Sequence, residues 1–323
     1  MSVWQGIIWG DDFERRIRRE AFQVHSVFHK VTNLQADPSK PLLSVVTCME
    51  AMGPNAMLVK GGGLDEFKVE SPVEFGSGQL VTSSIRINCS TVERYGTELK
   101  VNARGIGPRC GSSTGADSGF DSDFFQERGA HRRVQAWVER MSPGLTKVRS
   151  PLTEQLTQGL LTEDEGLVRL ALAGFIGQGE GLTPAGDDFV AGILLSFAKG
   201  FQLTGQTSAF LARLPCLVEE VWGRTTTISQ TMLWYAARGD GARYVAEMAE
   251  ALLEESGQVL ELAARLWAVG ASSGRYLLAG VLLGSELFMT REHDKLGRNN
   301  GNTSEYLRRF SDPDGLIPKG AKA

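Results

Sequence analysis

Between Gly177 and Gly192 the chain reads Gly177-Gln178-Gly179-Glu180-Gly181-Leu182-Thr183-Pro184-Ala185-Gly186-Asp187-Asp188-Phe189-Val190-Ala191-Gly192. The spaced glycines and Pro184 exclude a regular helix or central strand over the first half. The second half places Phe189, Ile193 and Phe197 at helical spacing, with Val190 and Leu194 beside them, and predicts a buried helix. A glycine-lined turn thus enters a helix, with two carboxylates at the point of entry. Such a turn permits positive φ angles and close approach of a ligand, and the unpaired N–H groups of the first helical turn face whatever sits there. The chemistry these residues fit is anion binding by Gly177, Gly179, Gly181, Leu182, Thr183 and Gly186, with Asp187 and Asp188 as candidate catalytic carboxylates. An architectural reading stands beside it. Asp187 would be an N-cap, Asp188 a first-turn acid favoured by the helix dipole, and Gly192 a close helix crossing. A cap, however, needs one Asp and no run of spaced glycines.

A second cluster is Gly223-Arg224-Thr225-Thr226-Thr227-Ile228-Ser229. Arg224 offers a bidentate fork, and Thr225, Thr226, Thr227 and Ser229 could complete an anion pocket at a helix start; a Thr N-cap beside a surface arginine explains the same residues. Gly270-Ala271-Ser272-Ser273-Gly274 repeats the small-residue turn before an apolar helix. Here the structural reading is ahead, with Ser272 as N-cap, Gly280 for tight packing, and Ser272 and Ser273 as the floor of a pocket. His25, His29, His131 and His293 make no metal-ligand pattern. No G-x-S-x-G elbow or Ser–His–Asp order is present.

The string G-x-G-x-G-L-T-P-x-G-D-D-x-x-x-G resembles the signature of a bacterial family that includes the AllH-type subunit of oxamate carbamoyltransferase, an enzyme of anaerobic allantoin breakdown. Two weaker stretches, Thr225–Ser229 and Gly270–Gly280, support the resemblance, and the general layout is similar from Val24 to Leu287. Ala185 stands where the family's pattern has serine, so a hydroxyl contact is lost there. The resemblance implies an enzyme subunit transferring a carbamoyl group between carbamoyl phosphate and oxamate, in oxalurate phosphorolysis. It also implies a small-molecule substrate and partner subunits.

Carbamoyl transfer needs a phosphate cradle, a cationic fork for the oxamate carboxylate, donors for the carbamoyl carbonyl and a proton acceptor for the amide nitrogen. The glycine turn suits the first, Arg224 the second, and Asp187 or Asp188 the last. Two carboxylates beside a dianionic phosphate repel it, so the pair either binds magnesium, the one cofactor considered, or points to the amide end of the substrate. Two alternatives stay open. Gly186-Asp187-x-Phe189-Val190-Ala191-Gly192 resembles the G-D-x-F-x-A-G segment of ribokinase-like sugar kinases, which implies a small-molecule kinase; against it, the chain before the motif lacks alternating strands and helices. The chain can also be a non-catalytic binding or assembly subunit.

The elements that must position these residues fall into an α+β pattern. Val24–Val31, Leu42–Thr47, Ala56–Val59, Phe67–Val69, Gln79–Thr82, Ile85–Ile87 and Leu99–Val101 are short β-prone runs between turn signals, predicting an antiparallel sheet or small barrel over 1–115. Cys110–Asp123 reads as a linker. Helices follow over Phe124–Met141, Thr153–Leu161, Glu163–Ile176, Ser208–Trp222, Ile228–Arg238, Gly241–Glu255, Val259–Val269 and Ser273–Met289, an all-helical domain over 116–290. A polar, flexible tail is expected over 291–323. The net charge of −4 over 323 residues gives no reason to expect nucleic acid or an anionic membrane as partner. The amino terminus lacks a basic n-region, no apolar run spans a bilayer, and the cysteines show no disulfide spacing, so a cytoplasmic protein is expected.

Overall fold

A computed structural model describes residues 1–95, 129–145 and 150–298, with side chains to residue 294. The expected strand at Leu99–Val101, the linker at Cys110–Asp123, the domain junction and the start of the helix expected at Phe124 lie outside the described residues.

The amino-terminal part is a small β-barrel. Its strands are β1 (Ser2–Trp9), β2 (Phe22–Val27), β3 (Val31–Gln35), β4 (Leu43–Val46), β5 (Ala56–Lys60), β6 (Pro72–Gly76), β7 (Gln79–Val81) and β8 (Ile85–Asn88), with a two-residue β9 (Glu93–Arg94) alongside and a short helix α1 (Asp11–Ile17) after β1. The order β5-β4-β3-β2-β6-β7-β8-β1 closes because β1 pairs with β8 over Ser2–Gln5 and with β5 over Gln5–Trp9. A register shift between Gly6 and Ile8 lets one strand serve both partners. The pairings are mostly antiparallel, but β1–β8 and β4–β5 are parallel. Alternate residues fill the interior: Val24, Leu34, Leu43, Val45, Met57, Val59, Leu80, Ile85 and Ile87 form one core with Trp4, Trp9 and Phe13 and Ile17 of α1.

Several sequence expectations shift here. The run Val24–Val31 is not one strand but parts of two, with Phe28 bonding Val31 across the turn. Phe67–Val69 forms no strand and follows a 3₁₀ turn at Leu64–Glu66. β1, α1 and β6 lie outside the expected elements, because Gln5 and Gly6 interrupt the apolar residues of the first and Pro72 opens the last.

The carboxy-terminal part is helical: α2 (Gly129–Met141), α3 (Pro151–Thr162), α4 (Glu165–Phe175), α5 (Ala185–Thr204), α6 (Ala209–Glu219), α7 (Thr227–Ala236), α8 (Arg243–Leu253), α9 (Val259–Trp267) and α10 (Ser273–Arg298). Caps set the starts. Ser150 accepts from the Thr153 amide at 3.1 Å, Asp164 from Gly166 at 2.8 Å, and Ser208 from Phe210 at 3.1 Å. Helix α10 runs past Met289, where the sequence pattern ends; Arg291 pairs with Glu163, and Gln206 donates to Glu292 at 2.7 Å.

Helix α5 is the axis of this part, buried without a break from Asp187 to Phe201. It lies against α10 with almost no side-chain layer between. A Cβ on Gly192 would sit 2.3 Å from the Leu277 carbonyl oxygen, one on Gly280 2.1 Å from that of Phe189, and one on Gly284 2.2 Å from that of Ile193. The partners advance together along both helices, so α5 and α10 run parallel and begin at the same end. The barrel docks on α7 and α8. Leu42 donates its amide to Thr231 Oγ1 at 2.9 Å, Arg243 donates its amide to the Met52 carbonyl at 2.7 Å, and the Tyr235 hydroxyl donates to Asp12 of α1.

Gly280→Ala should therefore lower stability by about 2–3 kcal/mol, the range for overpacking a site that cannot yield. Gly257→Ala, with open space around it, should leave the melting temperature nearly unchanged. Equal midpoints for the two variants in denaturant melts would contradict the close crossing.

Candidate functional site

The glycine turn leaves α4 at Ile176 and returns into α5 at Ala185. Gly177, Gly179 and Gly181 have φ of 83°, 114° and 94°, while Gln178 and Glu180 between them do not take positive φ. Alternating positive and negative φ is the kind of backbone pattern that lets successive amides converge on an anion. The amides of residues 179–183 have no hydrogen-bond partner among the described residues. The helix itself offers less than its position promises. Gly186 donates its amide to the Gln178 carbonyl at 2.9 Å, and Asp187 and Asp188 donate theirs to the Pro184 carbonyl at 3.0 and 3.1 Å. The free donors are mainly those of the loop; of the first helical turn only the Ala185 amide is uncommitted among the described residues.

Asp187 is not the N-cap. Pro184 takes that position, its ring holding φ at −52° at the helix entrance, and Asp187 falls on the third residue of α5. Its carboxylate is fully buried and used on both oxygens: Oδ1 accepts from the Gly177 amide at 2.7 Å, and Oδ2 accepts from the Thr225 hydroxyl. One side chain thus ties the start of the glycine turn to the segment before α7.

That segment closes on the turn at two further places. Thr226 is the N-cap of α7, accepting from the Ser229 amide at 3.2 Å, and its hydroxyl donates to the Leu182 carbonyl at 2.6 Å. Gly177 meets the backbone of Arg224, where a Cβ would come within 2.2 Å of the carbonyl oxygen. The Arg224 side chain is exposed, with no ion-pair partner among the described residues. Thr227 opens α7, and Ser229 is fully buried with its hydroxyl unpartnered.

Asp188 faces elsewhere. It is 1% exposed, and neither carboxylate oxygen accepts a hydrogen bond. Nearby are the hydroxyls of Thr183 and Ser273, bonded to each other at 2.7 Å across the starts of α5 and α10. Burial pushes Asp188 up to about 7, and the charge of Asp187 adds to this; the Ser273 and Thr183 hydroxyls pull the other way. Ser272 is exposed, and its carbonyl accepts from the Arg275 amide at 3.0 Å. Two residues absent from the sequence reading belong to this surrounding. Tyr244 of α8 is raised to about 12 by burial first, then by the charges of Asp188 and of Cys48 in the barrel. Neither carries a local signal, since Tyr244 sits inside an ordinary amphipathic helix and Cys48 stands alone.

With Asp187 occupied, the pair does not present two free carboxylates to a cation. Among the described residues no group of three or more His, Cys, Asp and Glu comes together. No described helix is long and apolar enough to cross a membrane.

Two outcomes follow for the aspartates. Asp187→Ala strands the Gly177 amide and the Thr225 hydroxyl, and thermal melts should show a loss of about 2–3 kcal/mol. For Asp188 the sign is opposite. Folding raises its proton affinity, so between the ordinary value of 3.8 and about 7 the folded chain keeps a proton that the unfolded chain has lost. Stability from this group falls as pH rises through that window and is level above it, by at most roughly 4 kcal/mol. Asp188→Asn should flatten that part of the stability–pH curve; an unchanged difference between pH 5 and 8 would refute the burial argument.

The comparisons with known proteins give two family matches along the chain. No curated protein and no solved structure matches it. The AllH family N-terminal domain matches residues 5–94, the barrel, and the family described as oxamate carbamoyltransferase subunit AllH matches residues 175–285, from the glycine turn into α10. The chain belongs to the AllH family.

Proposed function

We propose that this chain supplies the anion-binding part of a carbamoyltransferase acting on oxamate and carbamoyl phosphate, with the glycine turn as cradle and Arg224 as fork. The observation that carries the reading is the pairing of uncommitted amides at residues 179–183 with an unpaired, exposed Arg224 on the segment bonded to that turn. Amides arranged in this way and a guanidinium both favour a phosphate or carboxylate. Glu180 is the one acid on the loop, and it is exposed, where solvent screens it. The family's description as a subunit supports assembly with other chains, and the free thiols Cys48, Cys89 and Cys216 fit a reducing, cytoplasmic setting. The sugar-kinase reading has less support, because the Gly186 amide that would line its anion hole is already bonded to Gln178.

A ligand that binds only the folded chain raises its melting temperature by mass action. Oxamate and carbamoyl phosphate should do so, with or without magnesium, and ATP should not. Arg224→Ala, which removes no internal contact, should weaken oxamate binding by about tenfold, the loss of one charge-assisted pair, at unchanged melting temperature of the free chain. Stabilisation by ATP alone would favour the kinase, and no response to any anion would favour an assembly subunit.

A further inference from the structure

We propose that Asp188 is the proton acceptor of this site, and that the Thr183 and Ser273 hydroxyls carry the proton to it. The assignment rests on the carbamoyl-transfer reading above and adds a route that the reading leaves open. Its starting point is an oddity of burial. Asp188 is 1% exposed, both its oxygens lack a hydrogen bond, and no lysine or arginine pairs with it among the described residues. An orphaned carboxylate is costly to bury, and α5 is otherwise apolar along its buried length apart from Asp187, Ser196 and Lys199. The groups around Asp188 are Asp187 on its own helix, Tyr244 on α8, and the two hydroxyls on the loop and on α10. Asp187 cannot serve in its place, since the Gly177 amide and the Thr225 hydroxyl take both its oxygens.

The hydroxyl pair gives Asp188 its way out. Thr183 and Ser273 are half-buried, bonded to each other at 2.7 Å, and Thr183 is itself one of the residues with uncommitted amides. A hydroxyl can donate and accept at once, so a rotation turns this pair from each other toward Asp188 on one side and a ligand on the other. In the transfer step the amide nitrogen bonds to the carbamoyl carbon. The bond from that carbon to the phosphate oxygen breaks, and its electron pair leaves on the oxygen. The N–H proton passes to a hydroxyl of the pair as that hydroxyl passes its own to the Asp188 carboxylate. Asp188 then returns the proton to the departing phosphate, and the chain ends as it began.

The test is carbamoyl transfer from carbamoyl phosphate to oxamate by the enzyme assembled with its partner subunits, followed against pH. In the wild type kcat should rise with pH through about 7 as Asp188 ionises. Asp188→Asn should lower kcat by about 100-fold or more, the usual weight of a general base, abolish that rise, leave KM for oxamate near the wild-type value and give a melting temperature no lower than the wild type's. Thr183→Val and Ser273→Ala should each lower kcat by about tenfold with the rise intact, because one hydroxyl remains. Asp188→Asn with full kcat and the same pH rise overturns the assignment. If that variant does not fold, the Thr183→Val and Ser273→Ala double variant decides: a kcat and pH profile equal to wild type overturn it equally. A wild-type assembly that binds oxamate but transfers no carbamoyl group removes the transfer reading, and the proton route falls with it.

Discussion

The near-contact of α5 and α10 is the constraint on which the rest of the helical part depends. Gly192, Gly280 and Gly284 bring two backbones together where any side chain would collide with a carbonyl. Helices this close have little freedom to slide, because each glycine fits one place on its neighbour. Their parallel course also puts both amino-terminal ends on the same side of the molecule. Thr183, before one helix, thereby reaches Ser273, at the start of the other, at 2.7 Å. Asp188, one turn inside α5, is sealed beneath that pair. The packing and the chemistry of this region are one arrangement: a looser crossing would admit water to Asp188 and return it to an ordinary carboxylate.

Two aspartates adjacent in sequence do different work because a helix separates neighbours by about 100° around its axis. Asp187 turns toward α7 and becomes a clamp, holding a positive-φ glycine and a threonine at once. Asp188 lies beside the Thr183 and Ser273 hydroxyls, at the start of α10, and pairs with no cation among the described residues. A single carboxylate could not serve both purposes, since the hydrogen bonds that fix a clamp are those that lower its proton affinity. The doubled aspartate of the signature places one carboxylate on the loop and leaves the other buried without a hydrogen bond.

Much of this was legible before any coordinates. The change from short β-prone runs to helical spacing marked the two halves, and the apolar register of Phe189, Ile193 and Phe197 marked the buried helix. What the sequence could not convey was non-local. Barrel closure depends on β1 pairing on two sides, and nothing in Trp4-Gln5-Gly6-Ile7 announces two partners. The architectural alternative fails because, although Asp187 has the right chemistry for a cap, Pro184 takes the position through backbone geometry alone. The sequence suggested donors on both the loop and the first helical turn, and the Gly186–Gln178 bond that occupies one of the latter is visible only in three dimensions. The closeness of the turn to Arg224–Ser229 was inferred from complementary chemistry, and Thr225, Thr226 and Gly177 supply the contacts that make it physical.

The barrel is more than an appendage to the helical part. It contributes Met52 and Leu42 to bonds with α8 and α7, and Asp12 to the Tyr235 hydroxyl, so it grips the two helices flanking the site rather than a remote face. One of these, α7, opens with the threonines that hold the glycine turn; the other, α8, carries Tyr244 toward Asp188 and Cys48. A shift of the barrel would move α7 and α8 together. It would reach the turn through Thr225 and Thr226. The helices α5 and α10, locked by glycine, would stay. The site therefore has one fixed wall, made by the crossing, and one wall whose position the barrel sets.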